Sequence, residues 1–245
     1  MTYKKITTLL MISLVCVACS TKQKTYVELE KHPIKVPKEE ESNLPIVYVS
    51  FVFTTNTPKA REYDNLNQML KEINILNKYF VDANNQKIFR FKPSRYYSYE
   101  NFSKRNCDLA FQLNQPRKII TENIPTAVKN CFPERRSKEV FFIIYDSYSD
   151  RLKFRDVTSW GFRNTGQPFI LIDWQRLNYN IQAATPHEMG HAFGLKHVCA
   201  PGAKLKDSTN IMTSADCKLG SGGRRNIGFN REQLSTIMDF YHRAK

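Results

Sequence analysis

Apolar runs and their spacing predict alternating strands and helices over most of this chain. Residues 46–54 (IVYVSFVFT) are apolar, β-branched and aromatic, which predicts a strand. Thr57 and Pro58 then offer an N-cap and a first-turn proline. Tyr63, Leu66, Leu70, Ile73 and Phe80 follow at helical spacing, predicting one long helix laid on a sheet. Residues 87–97 alternate enough for a second strand. Residues 140–145 (VFFIIY) are nearly all apolar, as a central strand covered on both faces would be. Residues 169–172 read as another short buried strand, and 158–164 (TSWGFRN) as an edge strand between them. Near the C-terminus Asn230 can cap a helix, with Phe229 and Leu234 as a hydrophobic staple. Leu234, Ile237, Met238 and Tyr241 form its apolar stripe.

One segment carries chemistry as well as pattern. Residues 187–197 read H-E-x-x-H-x-x-G-x-x-H and hold three of the five histidines. On a helix His187 and His191 project from nearly one face, so their imidazoles can meet at one metal ion. Glu188 is rotated by roughly 100°, toward the side of the metal where a water would bind. Gly194 suits the left-handed conformation that ends a helix, and the chain can then return His197 as a third ligand. Three protein ligands and one open position describe a catalytic zinc site. Pro186 leaves the helix start open. Thr185 could be the N-cap, forming a capping box with Glu188, or an earlier turn from Ile181 could be kinked.

With these residues the chain resembles the metzincin zinc metallopeptidases. Their motif is followed by a methionine turn, and Asn210-Ile211-Met212-Thr213 matches it. The resemblance implies an α+β fold: a two-subdomain catalytic domain with a mixed twisted sheet, long helices, the zinc helix in the central cleft and a C-terminal helix. It implies one catalytic Zn²⁺ on His187, His191 and His197, Glu188 as general base, and Met212 as a hydrophobic floor below the histidines. It also implies that the segment after Met212, residues 217–228, lines the specificity pocket. Two positions depart from groups within the family. Ser214 stands where some supply a tyrosine ligand, and Val198 follows the third histidine where others carry aspartate or serine.

The N-terminus and the cysteines suggest a location. Residues 1–18 begin with Lys4 and Lys5, run apolar to Ala18 and contain no acid, as a signal peptide does. Cys16-Val17-Ala18-Cys19-Ser20 looks like a bacterial lipobox with Cys19 as the lipidated residue, although Cys16 stands where leucine is usual. The expectation is an exported lipoprotein, at the outer membrane if the cell has two; plain secretion is the alternative. Residues 19–44 are polar and rich in lysine, glutamate and proline, which suits a tether. Residues 45–245 form the catalytic domain. Four cysteines remain, and in an oxidising compartment two disulfides are expected. The sequence-local pairing is Cys107–Cys131 and Cys199–Cys217. A rival reading makes Cys199 a further metal ligand.

The net charge is +14; losing Lys4 and Lys5 with the leader, and no acids, leaves about +12. A basic surface suits anionic lipids, acidic envelope polymers or acidic substrates. Export and the lack of a recognition motif argue against nucleic acid. The expected function is zinc-dependent cleavage of peptide bonds in extracellular or envelope proteins by an enzyme anchored through its lipid. The alternative is a lipoprotein that uses the same domain only for binding, its zinc structural. Glu188 favours the enzyme, since a binding domain needs no such carboxylate.

Overall fold

The computed structural model describes residues 25–28, 43–113, 117–146, 159–162, 167–179, 182–214 and 222–244. The leader, Cys19, most of the expected tether and Cys217 lie outside these residues.

The core is a six-stranded mixed sheet in an α+β fold. Its strands are β1 (Val27–Glu28), β2 (Ile46–Phe53), β3 (Arg90–Tyr97), β4 (Glu139–Tyr145), β5 (Ser159–Phe162) and β6 (Phe169–Asp173), in the order β1-β3-β2-β4-β6-β5. The inner strands β3, β2, β4 and β6 pair in parallel, and β1 and β5 add antiparallel edges. The strands expected from pattern all form, with β3 starting three residues later than its expected bound. The expected edge strand is β5, paired to β6 through Gly161 opposite Ile170. Within the expected tether, Val27 and Glu28 pair with Tyr96 and Arg95, so this short piece extends the sheet.

β4 shows why the central strands read as unbroken apolar runs. Phe142 and Ile144 face one core, and Phe141, Ile143 and Tyr145 face a second core on the opposite side. The strand's period of two is present, but both faces are covered by apolar groups.

The expected long helix is two: α1 (Pro58–Arg61) and α2 (Leu66–Tyr79). Asp64, between them, accepts hydrogen bonds from the Tyr96 hydroxyl (2.5 Å) and the Tyr99 N–H (2.9 Å), which holds that stretch out of helix. Thr57 stands at the N-cap of α1 without a side-chain cap bond; its hydroxyl donates to Asp146 instead. Asn65 caps α2. The buried face of α2 is Met69, Ile73 and Leu76 together with Gln68 and Glu72, and Leu70 is only half-buried.

Periodicity predicts nothing for α3 (Tyr99–Ser103), α4 (Leu109–Leu113) and α5 (Arg117–Cys131), which cover the second core. Pro125 inside α5 obscures the signal, yet Ile124, Ala127, Val128 and Cys131 keep helical spacing and are buried. The expected Cys107–Cys131 disulfide ties the turn before α4 to the end of α5. Helices α6 (Ala184–Ala192) and α7 (Arg231–Arg243) join α2 on the first face. Asn230 and Gln233 form a reciprocal capping box at α7. No helix among the described residues is long and apolar enough to cross a membrane.

A three-histidine site on helix α6

α6 runs across the first face of the sheet beside β5 and β6. It begins at Ala184, after Ala183 in the left-handed conformation (φ 46°), with no side-chain cap. Pro186 is thus the third helical residue, and the N–H it lacks is one of four that a first turn leaves unpaired anyway. Neither sequence alternative for the helix start holds. No kink is needed, and Thr185 is not the N-cap: its hydroxyl donates to Glu72 of α2 at 2.8 Å, which leaves Glu188 out of any capping box.

The helix ends as the glycine requires. Gly194 has φ +91°, and a Cβ there would meet the Phe240 ring of α7 at 2.4 Å, so both conformation and space exclude a side chain. The chain turns and brings back His197. The Nε2 of His187 lies 3.3 Å from that of His197 and 3.2 Å from that of His191.

The outer ring nitrogens are occupied by backbone. His187 Nδ1 lies 2.6 Å from the Ile211 carbonyl and His191 Nδ1 lies 2.7 Å from the Leu195 carbonyl. A carbonyl only accepts, so both Nδ1 atoms carry the proton, and in the neutral ring the Nε2 lone pairs face one another. Burial, the charge of Arg225 and the adjacent histidines hold the His187 pKa well below its ordinary value. His187 therefore stays neutral, the form that binds a metal. Lone pairs converging this closely repel unless a cation stands between them. The three histidines are the described group that could hold a metal ion, graded from buried His187 through half-buried His191 to exposed His197.

Glu188 is buried at the side of this cluster. Burial lifts its carboxyl to about 8, opposed by the positive charges of Arg225 and Arg176 and by a hydrogen bond from the Gly161 N–H. Gly161 allows β5 to approach so closely: a Cβ there would stand 2.1 Å from the Glu188 carbonyl oxygen and 2.4 Å from the His191 Cβ.

Below the helix, Met212 is fully buried, and its sulfur fills the space a Cβ on Gly190 would need, at 2.4 Å. The turn that carries Met212 is anchored on both sides. Val198 N–H donates to the Met212 carbonyl at 2.9 Å, and Asn210 bonds Gly228 and Gln233 of the α7 capping box. Arg225, within the expected specificity loop, donates to the Gln182 carbonyl just before α6 at 3.0 Å. Cys199 is disulfide-bonded and stands outside the histidine cluster, against the reading of it as a ligand.

The structure thus brings together His187, His191, His197, Glu188 and Met212. Nothing in the local sequence pattern singles out Gly161, Gly190, Glu72 or Arg225. The two glycines were visible only as small residues, and Glu72 and Arg225 only as two charges among many. The chain matches no protein-family model, and a search of characterised proteins finds no match.

Proposed function

We propose that this protein is a zinc-dependent endopeptidase of the metzincin type. The observation that carries the reading is the spacing of the three Nε2 atoms beside a buried glutamate. Nitrogens about 2.0–2.1 Å from one tetrahedral zinc ion would lie about 3.3–3.4 Å apart. The distances of 3.2 and 3.3 Å between the facing nitrogens fit that cage without rearrangement. His187, His191 and His197 would hold the ion, and Met212 would support the helix that carries two of them. When bound, zinc supplies Lewis acidity that polarises a peptide carbonyl and acidifies a water.

The remaining chemistry belongs to the chain. Glu188 accepts the proton of the attacking water and passes it to the leaving amine. Its ionised form does this, and a neighbouring dication favours that form. The Gly161 N–H orients the carboxylate. β5 is an edge strand, so its main chain offers an extended peptide a place to add as a further strand. The Cys107–Cys131 disulfide agrees with export to an oxidising compartment, with Cys19 as the lipid anchor and envelope or extracellular proteins as substrates.

The test compares two kinds of variant. Glu188→Gln should keep one zinc and the native fold while losing peptide cleavage by about two to four orders of magnitude. Alanine at any of the three histidines should lose the metal. A purified protein that binds zinc but cuts no peptide library, or a Glu188→Gln variant as active as wild type, would leave the metal a structural role in a binding protein.

A further inference from the structure

Glu72 is the least expected residue in the first core. It sits on α2 among Met69, Ile73 and Leu76 and has no exposed surface. Burying a carboxylate without a cationic partner is costly, and among the described residues it has no ion pair. Instead three neutral donors from three segments surround it. One oxygen accepts from the Asn178 N–H at 2.5 Å and from Gln68 Nε2 at 3.0 Å. The other accepts from the Thr185 hydroxyl at 2.8 Å. Gln68 Nε2 also reaches Asn178 Oδ1 at 3.2 Å, closing a ring between α2 and the stretch that leads to α6.

Both ends of that stretch need holding. Asn178 and Ala183 have φ of +68° and +46°, and alanine there is strained. α6 has no side-chain cap of its own. Its first turn is fixed instead by Thr185, two residues before His187, and Thr185 is fixed by Glu72.

We infer that Glu72 is a positioning residue for the three-histidine site: through Thr185 and Asn178 it sets where α6 begins and therefore where His187 presents its ring. This rests on reading the histidines as a metal site. An apolar side chain at position 72 would fill the core as well, but it would leave the start of α6 to choose its own register.

Zinc affinity, read by competition with a chelating dye on folded protein, tests this without peptide cleavage. Residues that orient metal ligands typically contribute about 10–100-fold in affinity, and Glu72→Ala should weaken zinc by that factor. Glu72→Gln keeps an acceptor for Thr185 and should recover part of the loss. Thr185→Val removes a single hydroxyl and should also weaken zinc. Adding it to Glu72→Ala should cost little more, because the two act through one bond. If Glu72→Ala does not fold, Thr185→Val decides the matter. Zinc affinities within threefold of wild type, alongside a lowered Tm, would reduce Glu72 to a stability role and overturn the inference. Wild-type protein that binds no zinc would overturn both the metal-site reading and this one.

Discussion

The two faces of the sheet are built from the same strands but held by different forces. On the α4 and α5 side, Phe132 stacks on Phe141 and meets Tyr97 edge-on among aliphatic residues, and the Cys107–Cys131 disulfide closes the layer. Its polar links run from Arg105 and Tyr97 to Glu134 at the partly exposed rim, and from Arg95 and Ser50 to the buried Glu139, whose charge has a cationic partner. On the α2, α6 and α7 side, more of the interior is polar: Gln68, Glu72, Thr185, His187 and Glu188 are all buried. Each is placed by hydrogen bonds or by the absence of a neighbouring Cβ. The α4 and α5 face depends mainly on the quantity of apolar surface it buries, which tolerates substitution. The α2, α6 and α7 face depends on position, which does not.

The largest effect expected from this contrast comes from one methyl group. Gly161→Ala places a Cβ inside the van der Waals limits of Glu188 and His191, so β5 or α6 must move. Overpacking of this kind costs about 1–3 kcal/mol. Under the proposed function, zinc binding and peptide cleavage should both fall by at least about two orders of magnitude, since misplacement by about 1 Å costs that much. A Gly161→Ala variant with wild-type cleavage and metal affinity would show that β5 is not held as closely as described.

The opposite face should respond in the opposite sense. Replacing Cys107 and Cys131 together by serine opens a loop whose closure is worth about 3–4 kcal/mol in the chain-entropy model. Tm should drop on the order of 10 °C. Zinc affinity and cleavage per folded molecule, measured well below that temperature, should stay within about twofold of wild type. A loss of metal with the fold intact would mean that the two faces are coupled through the sheet.

The smallest effect concerns pH. Burial raises the Glu72 carboxyl above its ordinary value of 4.5, although Asn178, Thr185 and Gln68 donate to it. A raised folded-state pKa means the native protein holds that proton more tightly than the unfolded chain. Its stabilising contribution is therefore complete below about 4.5 and is lost as pH rises through the raised value. In metal-free protein, Glu72→Gln should gain in Tm relative to wild type between pH 4 and pH 7. An equal Tm difference at both pH values would contradict the raised pKa.

Much of this was legible along the chain because the determinants are local. The spacing of His187, His191, Gly194 and His197 fixes a helix, its end and a returning third imidazole within eleven residues. The strands at 46–53, 139–145 and 169–173 are apolar enough to be read directly. The capping box of α7 needs only Asn230 and Gln233, three residues apart. Two of the differences come from competition by distant partners, and one from a proline that obscures the helical pattern. Asp64 leaves the helical pattern because Tyr96 and Tyr99 claim it, Thr57 gives its hydroxyl to Asp146, and Pro125 hides a helix that packing against the sheet supports.

By itself, then, the sequence determined which residues could meet a metal and which segments could be strands, because a turn of helix and the pleat of a strand are set by neighbours in the chain. Only the tertiary structure decided where α6 begins, that Thr185 serves Glu72 and not a capping box, and that Gly161 and Gly190 make room for Glu188 and Met212. Those outcomes depend on contacts between residues up to 113 positions apart, as between Glu72 and Thr185. No local pattern records such a contact, because its energy exists only once the sheet has brought the two segments together.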